Sequence, residues 1–373
     1  MTILSDQPLL LTPGPLTTSA EVKHAMLRDW GSRDPEFLAL NARVRERLLE
    51  LAGAVGTHVC VPLQGSGTFI VEAMLGTLVP RDGKLLVLVN GAYGQRMLEV
   101  ARYHRTPAEA LHTPEDQPND VAALDRALRR DGSISHIAAV YCETTSGIRN
   151  PIEAIAEVTG RHGRRLLIDA MSAFGALPLD ARLVPFEAVA ASANKCLEGV
   201  PGVGFAIVRK DALAEAAGRA PSLALDLHDQ WASMERNGQW RFTPPTHVLA
   251  ALDRALLEHD EEGGVAGRGA RYRENCRILV QGMRALGFEP LLPEDLQAPI
   301  IVTFRMPQDP YFDFVAFYER LRRRGYVIYP GKLTVAPSFR IGCIGRLGPA
   351  EMNTALEAIH ATLCELGVTS GRP

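Results

Sequence analysis

The chain has 373 residues, 46% of them hydrophobic, and 40 lysines and arginines against 43 aspartates and glutamates give a formal net charge of -3. That length holds a large buried core and two or three domains. The charge balance offers no long-range attraction to nucleic acid or an anionic membrane, and no apolar run approaches the roughly 20 residues of a membrane helix, so both partner classes are excluded.

An N-terminal arm is expected over residues 1–20, ahead of a large α/β domain over 21–255. The arm has no basic segment followed by an apolar stretch, so no export signal is expected. From residue 59 onward, short β-branched apolar runs recur at 59–63, 84–89, 136–141, 165–168, 186–191 and 203–208. Amphipathic helical patterns at 68–78, 93–103, 121–130 and 152–161 lie between most of them. Alternation of this kind predicts a mostly parallel sheet between helices, with ligands bound at the carboxyl ends of the strands. A smaller C-terminal α+β domain is expected over 256–373. The helical pattern 247–259 leads into it, and it contains helices at 265–286, 312–324 and 349–366 with strands at 300–304, 326–329 and 339–343. The basic run Arg322-Arg323-Arg324 reads as a solvated helix face.

Cys60, Cys142, Cys196, Cys276, Cys343 and Cys364 are scattered, without close pairs or a dense disulfide framework, so a reducing, cytoplasmic compartment is expected. The ten histidines show no ligand-type spacing, and no metal is assigned.

Chemistry gathers at the predicted strand ends. The turn Gln64-Gly65-Ser66-Gly67-Thr68 runs straight into a helix, which suits a phosphate; it is also an ordinary capped turn. It lacks the third glycine of a dinucleotide fingerprint, because residue 70 is Ile, and the Gly-Lys-Ser/Thr ending of a nucleotide loop. Tyr93, in Asn90-Gly91-Ala92-Tyr93-Gly94, can stack on a planar ring or simply pack in the core. Glu143-Thr144-Thr145-Ser146-Gly147 offers hydroxyls to a ring oxygen, or forms a self-bonded turn.

Asp169 ends the run Arg-Arg-Leu-Leu-Ile-Asp, and Lys195 sits in Ala-Ser-Ala-Asn-Lys-Cys before a glycine-rich loop. A lone lysine in a polar stretch is ordinarily a surface residue. Paired with a strand-end carboxylate it meets the requirement of pyridoxal phosphate: an amine to form a Schiff base and an acid to keep the pyridine nitrogen protonated. Arg340 stands inside the apolar strand Ser338-Phe339-Arg340-Ile341-Gly342 and needs an anion, either an internal carboxylate or a substrate.

Taken in order, these segments resemble the class V aminotransferases, with the aspartate aminotransferase fold of pyridoxal-phosphate fold type I. Leu10-Leu11-Thr12-Pro13-Gly14-Pro15, Ile168-Asp169-Ala170-Met171-Ser172, Trp240-Arg241-Phe242-Thr243 and Tyr329-Pro330-Gly331-Lys332 extend the likeness over nearly the whole chain. The resemblance implies pyridoxal 5'-phosphate on Lys195 with Asp169 at its ring nitrogen. Ser66, Gly67, Thr68 and Asn194 would lie around the phosphate, with Thr243 reaching in from the other subunit of a homodimer. It places Met171 and Tyr93 on the two ring faces, Tyr93 standing where the family usually has tryptophan. It gives Thr144 or Thr145 the ring oxygen and Arg340 the acidic end of the substrate.

The likeness is greatest to the phosphonate branch. That branch implies ping-pong transfer of the amino group of 2-aminoethylphosphonate to pyruvate, in phosphonate catabolism. Transamination of alanine or serine to glyoxylate, cysteine desulfuration, which needs a mobile thiol where Cys196 reads as a packed residue, and a cofactor-binding regulator or scaffold without turnover are the competing readings. A second cation for the phosphonate is left open between Arg33 and Lys332.

Overall fold

The computed structural model describes residues 7–373, so the first six residues of the expected arm lie outside the described residues. Strands His58–Gly65, Lys84–Val89, Ala108–His112, Ile134–Val140, Arg165–Asp169, Ala188–Ser192 and Gly202–Arg209 build one seven-stranded sheet. Across the sheet they lie as 58–65, 202–209, 188–192, 165–169, 134–140, 84–89 and 108–112. Only 202–209 runs against its two neighbours; the other pairings are parallel. The interior strand Ala188–Ser192 is buried along its whole length, as a sheet covered on both faces requires. The α/β class read from the alternating pattern is what the chain forms.

Helices fill both faces. Ile70, Val71 and Met74 of Gly67–Leu78, with Met97 and Val100 of Ala92–His104, pack on one side. Ile152 and Ile155 of Ile152–Arg161, and Phe37, Leu40, Val44 and Leu48 of Pro35–Leu51, pack on the other. In Pro35–Leu51 these apolar residues recur at three- and four-residue steps, so one stripe is buried while the polar faces meet water.

The C-terminal part holds a three-stranded antiparallel sheet in which Ser338–Gly342 lies between Ile301–Arg305 and Tyr329–Pro330. Phe339 is fully buried there, with its ring centroid 5.6 Å from that of Phe288 and 5.8 Å from those of Phe304 and Phe317. The run expected as one strand at 326–329 is split. Tyr326–Val327 pairs in parallel with Leu9–Leu10, whereas Tyr329–Pro330 pairs with Phe339 and Arg340. Pro330, lacking an N–H, occupies the edge of its sheet. The N-terminal arm is thus stitched to the C-terminal part, and Gly342 N–H donates to Leu11 C=O at 2.9 Å.

The loop after Lys195 is tied to helix Gly264–Ala285 by buried charges. Glu198 accepts from Tyr272 Oη at 2.6 Å and Arg271 Nη2 at 2.7 Å. Arg268 is fully buried, pairs with Glu262 at 2.6 Å and donates to Cys196 C=O. Glu198 adopts φ +60°, an uncommon value for a residue with a side chain, and the network holds it there.

Candidate active site

The carboxyl ends of the parallel strands share one edge of the sheet, and a cavity of about 340 Å³ opens there, within the size range of small-molecule sites. Ser66, Gly67, Thr68, Tyr93, Thr144, Asp169, Met171, Asn194 and Lys195 all line it. Thr145 is engaged elsewhere, its hydroxyl donating to Glu143 at 2.7 Å and accepting from Ala92 N–H. Thr243 is exposed and stands outside the cavity of its own chain, as does Arg33. Arg340 is not among the residues lining the cavity, but its Nη1 donates to the C=O of Thr144, which is, at 2.8 Å.

Lys195 Nζ donates to Pro13 C=O at 2.7 Å, so the arm roofs the lysine. Only glycine allows this approach at residue 14: φ is +111°, and a Cβ there would lie 2.6 Å from Lys195 Cδ. Burial holds the Lys195 amine below the ordinary lysine range, with nearby acidic groups opposing the shift. The neutral, nucleophilic amine is favoured accordingly. Asp169 Oδ1 accepts Met171 N–H at 2.9 Å. Burial still pushes its carboxyl up to about 6, and the Glu143 carboxylate adds to the effect. A cationic ring nitrogen beside it would reverse that cost. Burial pushes the Tyr93 phenol up, but the Lys195 charge, the neighbouring Thr144 side chain and the Lys332 charge together more than offset it and leave it below its usual value.

The residues present fit a phosphorylated ring. Ser66 caps helix Gly67–Leu78 without any side-chain hydrogen bond, which leaves its hydroxyl and the first helical N–H groups available to an anion. Arg96 Nη1 donates to Thr68 Oγ1 at 3.1 Å and brings a guanidinium to the same turn. At Gly67 a Cβ would meet Met171 Sδ at 3.1 Å, so the small residue keeps Met171 in place. Thr144 Oγ1 and Asn194 Oδ1 are buried without a hydrogen-bond partner. Each such group costs about 1–3 kcal/mol unless a ligand satisfies it.

Arg340 is 6% exposed, and its Nε donates to Pro330 C=O at 3.0 Å. Burial draws its pKa down, because both of these acceptors are carbonyls. No carboxylate among the described residues forms an ion pair with it, so of the two readings open from sequence the geometry favours an anionic ligand. Cys196 is fully buried and pushed up to about 12 by burial, a packed thiol and no nucleophile.

Arg96, Glu143 and the Pro13 carbonyl are site residues that the sequence reading missed. Arg96 had a usable signal: it lies one helical turn beyond Tyr93, on the same face. Glu143 is fully buried, and its carboxylate accepts the Tyr93 N–H at 3.1 Å and the Thr145 N–H at 3.0 Å, fixing the start of helix Ala92–His104.

A family model for class-V aminotransferases matches residues 26–340. The chain is 56% identical to the 2-aminoethylphosphonate-pyruvate transaminase of Pseudomonas putida (strain W619), over 98% of this chain and 99% of that protein. It is 55% identical to the protein of the same name from Pseudomonas aeruginosa, over 97% of each. Among solved structures it is similar to pyridoxamine-pyruvate aminotransferase from Mesorhizobium loti, with a TM-score of 0.89 at 26% identity, covering 98% of this chain and 95% of that one.

Proposed function

This chain belongs to the class-V aminotransferases, and on that premise we propose that it moves the amino group of 2-aminoethylphosphonate to pyruvate, giving phosphonoacetaldehyde and L-alanine. Pyridoxal 5'-phosphate, when bound, supplies an aldehyde that captures the amine and a ring that accepts the electron pair left by proton loss. Lys195 would hold that aldehyde and Asp169 the ring nitrogen. The phosphate would sit on Ser66, Gly67 and Thr68 with Asn194 beside it, and Tyr93 and Met171 would cover the ring faces. Thr144 would donate to the ring oxygen.

The amine-bearing carbon of the donor carries no carboxylate, so proton removal there cannot be replaced by decarboxylation. Lys195 Nζ, whose basicity burial lowers, is the base that takes that proton and the acid that delivers one to the carbonyl carbon of pyruvate in the second half-reaction. Arg340 serves both halves, binding the phosphonate of the donor and the carboxylate of the acceptor. The exposure of Thr243 supports a homodimer in which the partner completes each site. All six cysteines are free, which supports a reducing, cytoplasmic setting. No helix among the described residues is long and apolar enough to cross a membrane.

The observation that carries the substrate reading is the buried, anion-free guanidinium of Arg340 in a chain that matches its phosphonate-branch relatives from end to end. Single turnovers of the loaded enzyme test it, comparing 2-aminoethylphosphonate with alanine and serine and following the aminated cofactor. Conversion is expected to be fastest with the phosphonate. Rapid conversion by serine with little by 2-aminoethylphosphonate would instead assign the chain to the glyoxylate branch.

A further inference from the structure

We propose that Lys332 is the second cation of the substrate site and distinguishes a dianionic phosphonate from a carboxylate. The inference rests on the substrate reading above and deepens it. Arg340 carries one positive charge, which matches a carboxylate; a phosphonate near neutral pH brings close to two negative charges. In a cavity shielded from water the unmatched charge is costly unless a second cation meets it.

Lys332 lies where such a cation is needed. It follows Pro330, whose carbonyl accepts from Arg340 Nε, and Gly331 N–H donates to Ser338 C=O at 2.9 Å, so the hairpin carries Lys332 back beside the strand of Arg340. Its Nζ stands 4.3 Å from the ring centroid of Tyr93, which lines the cavity. The cleft that Lys332 lines adjoins the cavity, since Arg96 borders both. The segment is fastened to the large domain by Thr334 N–H, which donates to Glu115 Oε2 at 3.0 Å.

The other charged groups nearby have hydrogen-bond partners of their own, although Arg96, like Lys332, lies over the Tyr93 ring without an ion pair among the described residues. Glu143, the acid closest in effect to Lys332, already accepts from Tyr93 and Thr145. Arg96 is engaged with Thr68 at the helix start proposed for the cofactor phosphate. Arg33, the alternative named from sequence, is exposed and lines neither space. Lys332 itself makes no ion pair among the described residues; its amine rests on the face of an aromatic ring, a contact worth little in the open. A four-carbon stem lets it swing to a phosphonate oxygen and return when a carboxylate takes its place.

The two half-reactions provide an internal control. In the loaded enzyme, Lys332→Met should lower kcat/KM for 2-aminoethylphosphonate by roughly 10- to 100-fold, the loss of one charge-assisted hydrogen bond, and leave single-turnover reaction of the aminated enzyme with pyruvate unchanged. Lys332→Arg should restore most of the phosphonate rate. Equal losses in both half-reactions, or no loss in either, would overturn the assignment and leave Lys332 a structural residue. A wild-type enzyme that ignores 2-aminoethylphosphonate would overturn the substrate reading and this inference together, an outcome visible before any variant is made.

Discussion

Two buried clusters of charge lie on either side of the loop that carries Lys195, and they are built on opposite rules. On one side Glu198, Glu262, Arg268 and Arg271 pair with one another at separations of 2.6 to 3.6 Å, so every charge has its counter-charge inside the protein. On the other side Asp169 has only a backbone N–H, Arg340 only carbonyls, and Thr144 Oγ1 and Asn194 Oδ1 have no partner. Paired charge makes the first cluster a fastening, although Glu198 Oε2 and Arg268 Nη2 are left without hydrogen-bond partners. Unmet demand makes the second the candidate binding site, because a ligand that supplied the missing partners would recover what folding left unsatisfied.

The largest expected difference comes from Lys195→Ala. Turnover should fall by roughly 10⁴-fold or more, and borohydride should no longer attach cofactor to the protein, while thermal stability stays level because no internal ion pair is lost. A variant that kept the reducible linkage would mean that another lysine holds the cofactor. Glu198→Gln reverses the pattern. It strips Arg268 and Arg271 of a shared counter-charge and should cost about 3 to 5 kcal/mol in urea denaturation, although Glu198 touches nothing in the cavity.

The smallest effect is a matter of sign. Asp169 titrates at about 6 in the folded, cofactor-free protein, above the roughly 3.9 of an unfolded aspartate. Folded protein therefore binds that proton more tightly, so the carboxyl's contribution is full below about pH 4 and is lost as pH rises through about 6. Asp169→Asn should then stabilise the cofactor-free protein by up to about 3 kcal/mol at pH 7.5, and scarcely at pH 4, while turnover is lost. In Glu262, burial is outweighed by Arg271 and Arg268, and its carboxyl is held down to about 2. Its contribution is present above about 4.3 and disappears as pH falls toward 2. Denaturation curves of the cofactor-free wild type and Asp169→Asn across pH 3 to 8 check the direction for Asp169. A variant no more stable than wild type at pH 7.5 would show that Asp169 is better satisfied than its surroundings indicate.

The open cluster was more legible in the sequence than the closed one, and the reason is distance along the chain. Asp169 and Lys195 announce themselves by standing at the ends of apolar runs, a local signal. Arg268 and Arg271 meet Glu198 across about seventy residues, and nothing near any of them marks the pairing. The same limit hid Pro13 over Lys195. Helix Pro35–Leu51 was missed although its apolar stripe was readable. Ala108–His112 was not readable: this edge strand alternates only weakly and contains the helix-favouring residues Ala, Glu and Leu. Helix Leu227–Asn237 had a start signal in Asp226, whose carboxylate accepts from Asp229 N–H, but no apolar periodicity strong enough to follow.

The stitching of Leu9–Leu10 to Tyr326–Val327 has a consequence for how the protein is made. Leu9 and Leu10 leave the ribosome hundreds of peptide bonds before their partner strand exists, so the roof over Lys195 cannot close until synthesis is almost finished. The sheet can assemble earlier, once strand Gly202–Arg209 has been made. During translation Lys195 and the turn at Ser66 to Thr68 would therefore face solvent uncovered, and a ligand of the cavity would have its widest access before the two ends of the chain meet.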